Sequence, residues 1–272
     1  MSLVSINIVN WMKYRPLFLS ISTIVIIVGI LSILKWGLKI GIDFKGGTLI
    51  EYRLQNGEKK VERYGQLGDV QIEKIRSDYK AQGATEERLE TVGPTIGPEL
   101  VKKTIYGLAI STSLILLWIA YQFKSIKFGI SATVATLHDA IVVIGMYSIL
   151  GHFFGAEIDF LFVTALLTII SFSVHDTIVV YDRIRELQKK SDEDLKTLAN
   201  MALSETMVRS INNSFTIIFM LAALILLGGE TTKWFASALL IGTISGTYSS
   251  PFVAVPILVT WDEIQKKLKN RA

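Results

Sequence analysis

Apolar residues run through this chain in six long blocks, each bounded by charged or turn-forming residues. The blocks are Leu17–Leu34, Ile105–Phe123, Phe128–Leu150, Phe160–Tyr181, Met207–Leu227 and Phe235–Val259. About 20 apolar residues, rising ~1.5 Å each, cross the roughly 30 Å hydrocarbon core of a bilayer. Each block is therefore predicted to be a transmembrane helix. Trp11, Lys13, Tyr14 and Arg15 precede the first block and Lys35-Trp36-Gly37 follows it, as at the two ends of a span. A secretory signal peptide also runs from basic to apolar, but this run is long for one and no small-x-small cleavage site follows it, so a span is expected.

Residues 39–103 form the one long polar stretch. Thr48–Leu54 alternates as a half-buried strand does, and Arg88–Val92 reads as a second strand before Gly93-Pro94. Between them, Val70, Ile72, Ile75 and Tyr79 recur at helical spacing over Asp69–Ala81, closed by Gln82-Gly83. The pattern predicts a β-α-β unit too small for a deep core. The expected fold is an α-helical integral membrane protein of six transmembrane helices, with a small extracytoplasmic α+β domain between the first and second. The predicted divisions are 1–38 (interfacial segment and first span), 39–103 (outer domain), 104–260 (five spans) and 261–272 (tail).

Charge orients the spans. Lys124 and Lys127 lie between the second and third. Arg183, Arg185, Lys189, Lys190 and Lys196 lie between the fourth and fifth, and Lys266, Lys267, Lys269 and Arg271 follow the sixth. The opposite connections are nearly free of cations: Gly151–Asp159 has none and Gly228–Trp234 only Lys233. Positive charge marks the cytoplasmic side, so both termini are expected there and the 39–103 domain outside. Half of the 272 residues are hydrophobic, and the net charge of +4 forms no basic stripe with interleaved aromatics, so nucleic acid is not an expected partner. With no cysteine, disulfides, thiolate metal sites and cysteine nucleophiles drop out together.

Ionisable groups inside the spans carry the candidate chemistry, because a charge at mid-bilayer is costly unless paired or hydrated. They are His138 and Asp139 in the third span and His175 and Asp176 in the fourth; Arg209 opens the fifth, with Asn212 and Asn213 beyond it. Asp176 precedes Arg183 by seven residues, which sets it roughly 10 Å inside the interface. Arg209 enters from the same side, so an Asp176–Arg209 pair is predicted. Desolvation and a nearby guanidinium act oppositely on a carboxyl group, as proton gain and loss require. The competing reading is a static ion pair, with His138 and Asp139 as interhelical hydrogen-bond partners. Gly242 and Gly246 form a G-x-x-x-G pair among Thr243, Ser245, Ser249 and Ser250, predicting close helix packing, and Pro251 and Pro256 predict a kink.

Other motifs fail on spacing. Gly41-Ile42-Asp43-Phe44-Lys45-Gly46-Gly47-Thr48 lacks the G-x-x-x-x-G-K-[ST] order of a phosphate loop, and no H-E-x-x-H metal motif is present. Asp139 and Asp176 leave an intramembrane aspartyl protease as an alternative, though its G-x-G-D element is missing.

That same Gly41–Thr48 stretch, just after the first span, resembles the hallmark of the SecD/SecF proteins, and GPTIGPEL at Gly93–Leu100 resembles its counterpart across the outer domain. LHDAIVVIG at Leu137–Gly145, SFSVHDTIVVYDRIRE at Ser171–Glu186, Arg209-Ser210-Ile211-Asn212 and GTISGTYSS at Gly242–Ser250 continue the resemblance in order. The resemblance implies a subunit that pairs with SecD, each giving six spans to a resistance–nodulation–division-like core. It implies a non-enzymatic role: a proton or sodium gradient, with no other cofactor, helps export preproteins begun by SecA and the SecYEG channel of the bacterial inner membrane. It puts the family's functional aspartate at Asp176 and its arginine at Arg209, and assigns Gly41, Asp43, Phe44, Gly46, Gly47, Asp182 and Arg183 to family motifs. His175, where the family commonly has Asn, and Pro251, in place of an apolar residue, depart from the pattern. A passive assembly subunit is the main alternative. A half-transporter for lipids or drugs would need a larger outer domain than 39–103 supplies.

Overall fold

The computed structural model describes residues 8–93 and 96–270. Pro94 and Thr95 of the GPTIGPEL motif, and Arg271 of the basic tail, lie outside the described residues. The chain divides into two compact units: Ile40–Leu108 with Glu157–Phe160, and the remainder.

Six helices are long and apolar enough to cross a membrane. They are α1 (Arg15–Trp36), α4 (Ile96–Phe123), α5 (Ile126–Phe154), α6 (Phe160–Gln188), α7 (Leu195–Leu227) and the continuous run α8 (Glu230–Ser249), a π-helical turn (Ser250–Ala254) and α9 (Val255–Lys269). Several outrun their apolar blocks. Helix α7 begins twelve residues before Met207, where the Asp194 side chain accepts from the Thr197 N–H at 3.1 Å. Leu195, Leu198, Ala199, Ala202 and Leu203 of that extension are buried, so packing rather than lipid solubility sets its length.

Burial divides the six. The most apolar windows of α5, α6 and the α8–α9 run are 56%, 56% and 61% buried, whereas those of α1, α4 and α7 are 17%, 6% and 17% buried. Lipid tails supply no hydrophobic drive between helices, so close backbone approach holds the bundle. A Cβ on Gly145 of α5 would lie 2.5 Å from the Gly29 Cα of α1, and one on Gly242 of α8 would lie 2.3 Å from the Ile169 side chain of α6. At one end of the bundle Phe123 stacks on Phe128 at 5.3 Å, both edge-on to buried Tyr181, whose hydroxyl is 2.7 Å from Ser131 Oγ. Pro251, which has no N–H to give, sits in the π-helical turn that widens the last span.

The smaller unit holds a one-turn helix α2 (Ile42–Lys45), strands β1 (Gly47–Arg53), β2 (Lys59–Tyr64) and β3 (Thr85–Val92), and helix α3 (Asp69–Ala81). The sheet order is β2-β1-β3 with both pairings antiparallel. This corrects the β-α-β expectation: a third strand is present, and the two predicted strands are antiparallel neighbours. Strand β2 (KKVERY) escaped notice because it is a charged edge strand whose one aliphatic residue, Val61, is 45% exposed. Ile50 and Tyr52 point from one face of β1 to Tyr79 of α3, and Tyr52 and Tyr79 stack at 3.9 Å.

The Gly41–Thr48 motif makes the turn into this sheet. Gly46 and Gly47 have φ of +74° and +120°, conformations that exclude most side chains. A Cβ on Gly47 would lie 2.6 Å from the Tyr64 carbonyl oxygen, and one on Gly97 would lie 2.5 Å from that of Phe44. Gly41 N–H donates to the Ile158 carbonyl at 2.9 Å, and Asp43 accepts from the Phe160 N–H at 2.8 Å, fixing the first residue of α6. Phe44 is buried beside them.

Candidate functional site

Asp139 is fully buried among α5, α6 and α8. Ser173 and Ser249 donate to its Oδ2 and Ser245 donates to its Oδ1, each at 2.6 Å. His138 Nδ1 stands 3.0 Å from the same Oδ1, and His138 Nε2 is buried with no hydrogen-bond partner among the described residues. Ser245 and Ser249 are one turn apart on α8, so the carboxylate meets two rungs of one helix and one of another. Hydroxyls are suited to this work. An O–H can donate to a carboxylate and, after rotation, accept from a carboxylic acid.

Asp176, three residues along α6 from Ser173, is 6% exposed. Ser210 of α7 bridges both of its oxygens, at 2.7 and 2.8 Å. Further hydroxyls connect the two neighbourhoods. Ser250 Oγ, in the π-helical turn, lies 2.9 Å from Thr177 Oγ1 and donates to the Ser173 carbonyl at 3.3 Å. Thr247 reaches Ser214 at 2.6 Å, and Ser214 donates to the Ser210 carbonyl at 2.9 Å. The wide turn around Pro251 thus brings α8 hydroxyls to the residues flanking both aspartates.

The predicted Asp176–Arg209 ion pair is absent. Arg209 lies within electrostatic reach of Asp176 but is exposed, and among the described residues it makes no ion pair. The reason is angular: Ser210 takes the inward position on α7, which turns the preceding residue about 100° away. His175 is exposed for the same reason beside inward Asp176, and Asn212 and Asn213 are exposed beyond Arg209. Asp182 is also exposed, whereas Arg183 pairs with Glu205 of α7 and Glu186 of its own helix. Sequence reasoning took Ser245, Ser249 and Ser250 for packing residues and gave Ser173 and Ser210 no role. Their signal was present, as Ser at i−3 to Asp176 and a Ser pair at i, i+4 in an apolar span.

These features define a polytopic helical membrane protein with a small α+β domain inserted after its first span and carboxylates buried within its bundle. Residues 71–264 match the family described as protein export membrane protein SecD/SecF, C-terminal, and residues 33–58 match the SecD/SecF GG motif. The chain belongs to the SecD/SecF family. It is 39% identical to the protein translocase subunit SecF of Thermobaculum terrenum, over 94% of each chain. It is 31% identical to the protein translocase subunit SecDF of Bacillus subtilis, covering 91% of this chain and 37% of that one. The crystal structure of SecDF, a translocon-associated membrane protein from Thermus thermophilus, superposes with a TM-score of 0.88 at 28% identity, over 96% of this chain and 40% of that one. The chain thus spans about two fifths of the solved SecDF, and nearly all of the Thermobaculum SecF.

Proposed function

We propose that this chain is a SecF subunit that pairs with SecD and uses a proton or sodium gradient to assist preprotein export through the SecYEG channel after SecA has begun it. It would lie in the bacterial inner membrane with both termini in the cytoplasm and the Ile40–Leu108 unit outside, as the basic ends of the spans favour. The observation that carries this reading is the pair of buried carboxylates, Asp139 and Asp176, held by hydroxyls in the middle of apolar helices. Intramembrane carboxylates mark ion pathways by default. Fusion of the two subunits' names in relatives such as the Bacillus SecDF supports SecD as the partner. Arg209, His175, Asn212 and Asn213, exposed at the level of the apolar spans, are chemically unsuited to lipid and suit a protein partner.

On this reading, protonation of Asp176 converts Ser210 from donor to acceptor and changes the α6–α7 contact. Arg209 and His175, beside it on the partner face, feel the lost charge. The gradient biases two packings by no more than their difference in interaction energy. The work is transport, and no bond of the substrate is made or broken.

The test is preprotein translocation into vesicles holding the complete complex, comparing wild type with Asp176→Asn, with and without a proton gradient. The variant should assemble normally and lose only the gradient-dependent part. Retention of that part, or failure because the complex falls apart, would replace this reading with a passive assembly subunit.

A further inference from the structure

Between α1 and α9 lies a groove of 390 Å³ lined by Leu19, Ile257, Thr260, Trp261 and Ile264. That volume falls within the roughly 300–1,000 Å³ of ligand clefts. The four α9 residues recur at i, i+3, i+4 and i+7, so they form one wall of a single helical face. The groove is open along its side, where Trp261 and Ile264 are 38% and 53% exposed. In a membrane such a surface takes hydrocarbon.

One end of the groove is cationic on both walls. Arg15 stands one turn before Leu19 on α1, and Lys267 continues the α9 face three residues beyond Ile264. The Arg15 Nη2–Glu263 contact of 2.7 Å ties these two helix ends together. Lys13, just before α1, and Lys267 make no ion pair among the described residues, although Lys267 lies within electrostatic reach of Glu263, and nearby Asp262 is already taken by Lys127 and Lys266. Charge at this end is therefore unbalanced in favour of an anion. Thr260 adds a second observation. Nine helical threonines, from Thr23 to Thr247, donate to the carbonyl four residues back. Thr260 does not: its Oγ1 is buried without a partner, as is Arg15 Nη1. Thr260 Oγ1 on the groove wall and Arg15 Nη1, one turn before Leu19, thus lack the hydrogen bonds that such atoms ordinarily make.

We propose that this groove binds one anionic phospholipid, with an acyl chain along Leu19, Ile257, Trp261 and Ile264 and the phosphate at the Lys13–Arg15–Lys267 end. The apolar wall accepts the chain of any lipid, and the unbalanced cations select the headgroup. Trp261, on the groove wall, is a natural reporter.

The full-length chain is reconstituted in phosphatidylcholine nanodiscs containing a minor fraction of brominated phosphatidylglycerol or brominated phosphatidylcholine. The Trp261 signal is taken as the fluorescence difference between wild type and Trp261→Phe. Brominated phosphatidylglycerol should compete for the site roughly thirtyfold better than brominated phosphatidylcholine, in line with the gain from two cations, Lys13 and Lys267, near an anionic headgroup. Lys13→Gln with Lys267→Gln should abolish that preference while leaving the Arg15–Glu263 pair in place. Equal quenching by both lipids would reduce the groove to ordinary boundary lipid and overturn the proposal. Quenching by neither would mean that protein covers it, which also overturns the proposal. A preference unchanged in the double variant would remove its electrostatic basis.

Discussion

The interior of the helical bundle and the smaller unit hold their carboxylates in opposite ways, although at the ends of the bundle helices Glu205, Glu263 and Asp262 are paired with cations. In the helical bundle Asp139 is met by three serines and a histidine, and Asp176 by a serine. In the smaller unit Glu62 is met by Lys60 at 2.8 Å and by the Tyr64 hydroxyl, and Glu86 by a two-pronged Arg76 at 2.8 and 2.9 Å. A fixed cation favours one charge state of its partner. A hydroxyl serves either state by rotating, and it avoids desolvating a second charge, which costs several kcal/mol per ion in a low-dielectric interior. The outer carboxylates are thus fastened as anions. The inner ones keep their hydrogen bonds with or without a proton, as ion coupling on the proposed reading requires.

The sharpest way to break this contrast is Asp139→Leu. It leaves Ser173, Ser245 and Ser249 facing an apolar side chain at one point of the bundle. An orphaned buried donor costs about 1–3 kcal/mol, and part is recovered where a serine turns to a backbone carbonyl. A net loss of about 3 kcal/mol is expected, read as a lower midpoint of denaturant-induced unfolding of the full chain in detergent. Asp139→Asn, which keeps the shape and an acceptor, should lose less than half as much. If Asp139→Leu unfolds like wild type, the serine cage contributes nothing.

Arg209 provides the next test, since a buried Asp176–Arg209 pair would make the inner site resemble the outer ones. Breaking such a pair from one side costs about 3–5 kcal/mol. Because Arg209 is exposed and unpaired in this chain, Arg209→Leu should shift the stability of the isolated subunit by no more than about 0.5 kcal/mol. Its effect should fall on the complex, where co-purification with SecD drops roughly tenfold, about 1.4 kcal/mol, on the reading that SecD covers this face. A large loss in the isolated chain would restore the ion pair.

The same contrast explains what could be read from the sequence. Span existence was legible because about 20 apolar residues have one solution in a bilayer. The place of Asp176 inside a long apolar helix followed from the same pattern. Its partner did not, because depth says nothing about angle: Arg209 and Ser210 differ by one residue in height and by about 100° in direction. Opposite charge points to the arginine, whereas the helix turns the serine inward. Strand β2 was missed for a related reason. Its Lys60, Glu62 and Tyr64 occupy one face by pairing with each other and with Tyr79, so burial leaves no apolar alternation to find.

That strand supplies the smallest of these effects. Lys60 and the Tyr64 hydroxyl hold the Glu62 carboxyl down at about 2, and Glu62 in turn pushes the Tyr64 phenol up to about 12. A depressed carboxyl contributes stability that is fully present above its unfolded value, near 4.5, and that is lost as the pH falls toward about 2. Glu62→Gln should therefore weaken the β2–β1 pairing at neutral pH, and wild type should approach the variant as acid protonates Glu62. The direct measurement is a carboxyl-carbon NMR titration of Glu62 in the full chain, with a midpoint expected near 2. The Lys60→Met variant separates the lysine from the hydroxyl donors: the midpoint should rise but stay below 4.5, because the Tyr64 and Tyr79 hydroxyls still donate. If Lys60→Met leaves the midpoint unmoved, the lysine does not fasten this carboxylate, and the contrast between the outer and inner sites loses its clearest example.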